Sequence, residues 1–162
     1  MRAVARVLGS GQFVLGSEVA DFEHAFAAFL GARHVIGVAS GTDAIELLLR
    51  AHHIGPGMRV ALPALAPSAV AAAVQRAGAG IVLVDVEDNS LTLCPESLER
   101  LLKSRDVRAA LVVHLFGQPA SWEAIRDLCA AHDVLVLEDA AQAHGASIQG
   151  IMAGALGTAA AL

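Results

Sequence analysis

The sequence predicts an α/β protein with a mostly parallel sheet covered by helices on both faces. Three observations predict it. Short, continuous apolar runs such as residues 109–115 and 134–137 recur along the chain and read as strands buried on both sides. Segments with apolar residues at helical spacing separate them. Turn signals such as Ile54-Gly55-Pro56-Gly57 punctuate the alternation, with no internal repeat, low-complexity linker or charge block. Regular β-α alternation is the signature of a parallel sheet. At 162 residues one domain is expected, long enough to bury a real core.

Each element has its own justification. Residues 21–30 place Phe22, Phe26, Phe29 and Leu30 at helical spacing, and Gly31 is a helix stop. Residues 34–39 form a short apolar run and read as the first strand. Residues 42–52 repeat Ala44, Ile45, Leu47, Leu48 and Leu49 as a mostly buried helix. Residues 60–64 are the second strand, closed by Pro63 and Pro67, and 69–77 an Ala-rich helix ended by Gly78. A third strand, 81–86, carries Asp85 near its end. Residues 95–102 are a helix with Pro95 in its first turn. The fourth strand is 109–115, and 121–132 a helix with Ser121 as N-cap. Residues 134–137 are the fifth strand.

Composition excludes several classes. The net charge of −5 and the lack of a Lys/Arg cluster argue against a nucleic-acid partner. The hydrophobic fraction is 56%, but no uninterrupted run is long enough to span a membrane. The opening Met1-Arg2-Ala3-Val4-Ala5-Arg6-Val7-Leu8 is too short, and too soon broken by Gly9-Ser10-Gly11, for a signal peptide. Cys94 and Cys129 form no CxxC pair and read as reduced, buried thiols of a cytoplasmic protein; no metal site is expected.

Ligands of open α/β sheets bind at the carboxyl ends of the strands. Three segments lie there. Ala39-Ser40-Gly41-Thr42-Asp43-Ala44 opens a buried helix. Its glycine lets the backbone approach an anion, its first N–H groups are unpaired, and the Ser40 and Thr42 hydroxyls add donors. Chemically this is a phosphate cradle, although Ser-Gly-Thr is also an ordinary N-cap, and no Walker-type lysine accompanies it. Leu62-Pro63-Ala64-Leu65-Ala66-Pro67-Ser68 follows the second strand. Glu138-Asp139-Ala140-Ala141-Gln142-Ala143-His144-Gly145 follows the fifth. A phosphate cradle on one strand end and an acid on another describe a ligand with a phosphate at one end and a basic nitrogen at the other. Pyridoxal phosphate is such a ligand, because a carboxylate keeps its ring nitrogen protonated.

These residues carry a family resemblance. Phe13-Val14-Leu15-Gly16-Ser17-Glu18-Val19, Phe22-Glu23, the segments 39–44 and 138–145, Gly55-Pro56-Gly57, Val84-Asp85-Val86 and Val113-His114-Leu115-Phe116-Gly117-Gln118-Pro119-Ala120 resemble the DegT/DnrJ/EryC1/StrS sugar aminotransferases. They occur in family order over essentially the whole chain. The resemblance implies the large domain of a fold-type-I pyridoxal-phosphate enzyme, a three-layer αβα unit truncated before its last strands, with the C-terminal domain absent. It implies that Ser40, Gly41 and Thr42 hold the cofactor phosphate, that Asp139 pairs with the pyridinium nitrogen, and that Gln142 bonds the phenolic oxygen or the wall beside it. His114 and His144 read first as packed, hydrogen-bonded residues. Residues 11–16 resemble the family segment near the sugar-nucleotide site. The implied reaction moves an amino group from glutamate or glutamine to a keto group on a nucleotide-linked sugar, in a cytoplasmic homodimer.

Two departures from the family pattern stand out. The aromatic residue that stacks on the cofactor ring is matched here by Pro67, which supplies no π system. The covalent anchor is a lysine, which the resemblance places after a Ser-Phe-type strand end a few residues beyond Leu162. Lys103 is the one lysine of the sequence, on a helix away from the ligand edge. The expectation is therefore the N-terminal part of an aminotransferase, inactive alone and marginal or partner-dependent as a fold, with residues 34–39 lacking neighbours from later strands. The alternatives are a non-catalytic cofactor- or partner-binding remnant, or a fragment of the family's sugar dehydratase branch.

Overall fold

The structure, a computed structural model, describes residues 2–104 and 106–162. They fall into two compact units, Met1–Gly37 and Val38–Leu162. The first unit holds α1 (Arg2–Ser10) and α2 (Ser17–Leu30). Along α2, Phe22 stacks on Phe26 and Phe26 on Phe29, with centroids 5.3 and 5.9 Å apart. Gly31 ends the helix in the left-handed region, at φ 73°, and its N–H turns back to the carbonyls of Ala27 and Ala28. The Glu23 carboxylate accepts from the Gly37 N–H at 2.6 Å.

The second unit is built on a five-stranded, all-parallel sheet. Its strands are β1 (Arg59–Pro63), β2 (Gly80–Val84), β3 (Ala109–Val113), β4 (Leu135–Asp139) and β7 (Ala160–Ala161), in the order β2-β1-β3-β4-β7. A short antiparallel pair, β5 (Ser147–Ile148) and β6 (Ile151–Met152), lies between β4 and β7 in the chain. Helices α3 (Gly41–Ala51) and α4 (Ser68–Arg76) cover one face. There Ile45, Leu49, Val70 and Val74 pack with Val60, Leu111, Val113 and Leu137. Helices α5 (Pro95–Ser104) and α6 (Trp122–Ala131) cover the other, where Leu98, Leu102, Trp122 and Ile125 pack with Ala61, Ala110 and Val112. Odd- and even-numbered residues of β3 thus feed opposite cores, the period-2 alternation of a strand. Each fully buried aliphatic side chain contributes about 1.5–3 kcal/mol of transfer free energy. The expected α/β, three-layer architecture is the one found.

Most anticipated elements are present with ends shifted by a few residues; one is not. Residues 34–39 are not a strand. A strand needs a hydrogen-bonded neighbour, and this run has no place in the sheet order, so Ile36 and Val38 are 78% and 42% exposed. By contrast, Ala160–Ala161 do find a neighbour and form β7, parallel to β4. Ser121 occupies the N-cap position of α6 but makes no capping bond; its hydroxyl goes to the Glu87 carboxylate instead, since an ionised acceptor makes the stronger bond. Cys129 is buried and its thiol is pushed up to about 12 by burial, whereas Cys94 is only half-buried and donates to Glu96.

Candidate functional site

A cavity of about 240 Å³ opens at the carboxyl end of the sheet, beside the start of α3. Its walls include Gly41, Thr42 and Ile45 of α3, Pro67 at the N-cap of α4, and Asp139 and Gln142 after β4. Five of the six residues singled out in the sequence therefore share one cavity: Gly41, Thr42, Pro67, Asp139 and Gln142. The sixth, Ser40, is the N-cap of α3. Its hydroxyl accepts from the Asp43 N–H at 3.1 Å and donates to the Asp43 carboxylate at 2.9 Å, so it is spent on the helix.

This capping leaves a specific pair of donors. The Asp43 and Ala44 N–H groups are satisfied by the side chain and carbonyl of Ser40. Those of Gly41 and Thr42, the two residues before them, have no acceptor among the described residues. They sit where the helix dipole favours an anion. A Cβ at Gly41 would meet no atom within 4 Å, so the space before this N–H is open. Arg76, paired with Asp43 at 2.8 Å, holds α4 against this end of α3.

The opposite wall is acidic. Asp139 is 6% exposed, and burial raises its pKa; the Ala141 N–H, 3.1 Å from Oδ1, opposes that shift. Buried carboxyls held this way favour a cationic or proton-bearing partner. Gln142 accepts from the Phe116 N–H at 2.8 Å, which orients the amide and leaves its NH2 end for the cavity. Phe116 is held in the left-handed region, at φ 56°, and Gly117 follows at φ 82°, where a Cβ would stand 3.2 Å from the Gln142 carbonyl. This tight turn brings the end of β3 against the loop after β4.

Behind the cavity lies a cluster that sequence reasoning missed. Glu138 and His114 are fully buried, with Nε2 of His114 3.1 Å from the Glu138 carboxylate. The same carboxylate accepts from the N–H of Gly154 at 2.7 Å and of Gly157 at 2.6 Å. An acid closing an apolar strand was the available signal, but its glycine partners lie as far as nineteen residues downstream. His114 is the packed, hydrogen-bonded residue expected, and it also underlies the cavity. His144 is exposed and does not line it. Lys103 is exposed on α5 and pairs with Glu99 at 2.6 Å. No cluster of metal-ligating side chains occurs among the described residues.

The arrangement can hold an anion at the α3 terminus and a cationic nitrogen at Asp139. The family model of the DegT/DnrJ/EryC1/StrS aminotransferase family matches residues 1–162. A dTDP-3-amino-3,6-dideoxy-alpha-D-galactopyranose transaminase of Aneurinibacillus thermoaerophilus is 43% identical over 159 residues, 98% of this chain and 44% of that protein. Streptomyces venezuelae DesV, solved in complex with a ketimine intermediate, superposes with a TM-score of 0.90 at 43% identity, over 95% of this chain and 41% of that one. The GDP-4-keto-6-deoxy-D-mannose-3-dehydratase of E. coli with bound hydrated PLP gives 0.87 at 28% identity, over 94% and 41%. The chain thus spans less than half the length of the relatives it matches. On the family-model match over residues 1–162, the chain belongs to the DegT/DnrJ/EryC1/StrS aminotransferase family.

Proposed function

We propose that this chain supplies the cofactor-binding part of a pyridoxal-phosphate-dependent aminotransferase that acts on a nucleotide-linked keto-sugar. The observation that carries the reading is one cavity with two unsatisfied helix N–H groups at one wall and a buried carboxyl at the other. Those residues fit pyridoxal phosphate. Gly41 and Thr42 hold its phosphate, and Asp139 faces its ring nitrogen. The NH2 of Gln142 reaches its phenolic oxygen, and Pro67 packs beside the ring. When bound, the cofactor supplies the electron sink for amino transfer. The protein's part is to orient the ring, keep water from the Asp139 wall and hold the proton on the ring nitrogen.

Lys103 cannot bond the cofactor from α5, so these 162 residues hold it without a covalent link and do not transaminate alone. The resemblance puts the anchoring lysine in a segment after residue 162, and makes the full-length protein a cytoplasmic homodimer with glutamate or glutamine as amino donor. The higher identity to the transaminases, 43% against 28%, favours that branch over the dehydratase.

The test is absorbance and equilibrium dialysis of the purified chain with pyridoxal phosphate. The expected result is retention of the cofactor, lost in Asp139→Ala, with no visible band that depends on Lys103. A band abolished by Lys103→Ala, or retention unaffected by Asp139→Ala, overturns the reading.

A further inference from the structure

The buried Glu138–His114 cluster takes no part in the function proposed so far, yet its geometry fixes a protonation state beside the cavity. The Ala120 N–H, itself buried, donates to Nδ1 of His114 at 3.1 Å. A backbone N–H can only donate, so Nδ1 bears no proton and the imidazole is the Nε2–H tautomer. That Nε2–H points at the Glu138 carboxylate, 3.1 Å away. Protonating Nδ1 would break the Ala120 bond and leave a buried N–H unpaired. The groups facing the ring are Glu138 of β4, the neighbouring Asp139, the Ala120 N–H and the tilted Trp122 ring of α6, 6.3 Å away. His114 is tied to Asp139 through the backbone as well, its N–H donating to the Asp139 carbonyl at 3.0 Å.

We propose that Glu138 is a positioning residue for the ring end of the cofactor: its carboxylate anchors the Nε2–H of His114, the Ala120 N–H keeps Nδ1 free of a proton, and the ring so fixed beside Asp139 leaves the Asp139 carboxylate to the ring nitrogen. An imidazolium here would compete for Asp139 and repel a cationic ring. The carboxylate's other donors, Gly154 N–H and Gly157 N–H, fasten the loop leading into β7 behind the same wall. This inference rests on the proposed function for the identity of the ligand, but not for the state of His114.

Two variants separate positioning from bulk structure. In Glu138→Gln the amide oxygen at the Oε2 position still accepts from His114 and Gly154, and only the Gly157 bond is lost. In Glu138→Leu the acceptor is gone while volume is kept. Nitrogen-15 NMR of the imidazole at neutral pH is expected to show a single neutral Nε2–H His114 in the wild-type chain and in Glu138→Gln, and loss of that one fixed ring state in Glu138→Leu, where Nε2–H has lost its acceptor. Pyridoxal phosphate affinity is expected to fall roughly tenfold in Glu138→Leu and to be largely rescued in Glu138→Gln. Shifts of the Gly41 and Thr42 amides on adding inorganic phosphate are expected to match wild type in both variants. An Nδ1–H tautomer or an imidazolium in the wild-type chain overturns the proposal whether or not either variant folds. So does Glu138→Leu losing phosphate and pyridoxal phosphate together, or losing neither. If the wild-type chain retains no pyridoxal phosphate, the functional reading fails, and the NMR result still decides the state of His114.

Discussion

Glu138 and Asp139 are consecutive acids on one strand, and the two faces of the sheet treat them in opposite ways. Strand alternation sends their side chains to different sides. Glu138 faces α6 and is saturated from within by His114, Gly154 and Gly157. Asp139 faces α3 across the cavity and has one backbone donor, Ala141. Both are buried. A buried carboxyl with all its donors supplied by the protein stabilises the fold; one supplied in part is waiting for a ligand.

The sharpest way to break this comparison is to truncate both acids. Glu138→Ala removes the acceptor of three donors in a dry site, at roughly 3 kcal/mol or more of stability. Asp139→Ala frees one exposed-loop N–H that water can take, and is expected to cost no more than about 1 kcal/mol. Urea midpoints of the two variants check this; equal losses would erase the distinction. The roles reverse for ligand. Asp139→Ala is expected to weaken pyridoxal phosphate binding by roughly 30-fold or more, the usual cost of removing one partner of a desolvated charge pair. Equilibrium dialysis reads it directly, and an unchanged affinity would remove Asp139 from the site.

How much of this was legible in the sequence follows the same divide. The cavity residues Gly41, Thr42, Asp139 and Gln142 stand at strand or helix ends, where local pattern and topology together say what faces a ligand. Glu138 was readable only as half of an acidic pair, because its function depends on glycines whose placement requires the β5–β6 excursion and β7. Residues 34–39 failed for a related reason: an apolar run shows strand propensity, but not whether a neighbouring strand is there to pair with it. The Ser40 hydroxyl was legible as a donor beside the cradle, and in the structure it serves its own helix as N-cap.

Glycines on the two sides sharpen the contrast at smaller amplitude. A Cβ at Gly157 would stand 2.9 Å from the Trp122 ring and 3.3 Å from the Glu138 carboxylate. Gly157→Ala is therefore expected to destabilise by about 1–3 kcal/mol through overpacking. Gly41→Ala has open space before it; it is expected to leave stability within about 1 kcal/mol and to weaken inorganic phosphate binding at the Gly41 and Thr42 amides. Thermal midpoints and amide shift titrations separate the two, and a stability loss at Gly41 matching that at Gly157 would contradict the open cradle.

The smallest effect is the one with pH. Burial holds the Asp139 carboxyl above the usual carboxylate range, with the Ala141 N–H pulling it partly back. A charge on the His114 ring would add to that downward pull. In the unfolded chain the same aspartate titrates at its ordinary value. Between the two values the folded state keeps a proton that the unfolded state has released, so stability falls as pH rises through this window. Below the ordinary value the stabilising contribution is complete; above the raised folded value it is lost. Asp139→Asn carries no such titration. The variant is expected to be more stable than wild type at neutral pH, with the gap closing as the solution is acidified through the window. A cationic ring nitrogen in the cavity offsets the burial penalty, so pyridoxal phosphate is expected to narrow the neutral-pH gap. Urea midpoints of both proteins along a pH series, with and without cofactor, measure it. A gap that stays constant from acid to neutral pH would mean that Asp139 is as well satisfied as Glu138, and the difference between the two faces would collapse.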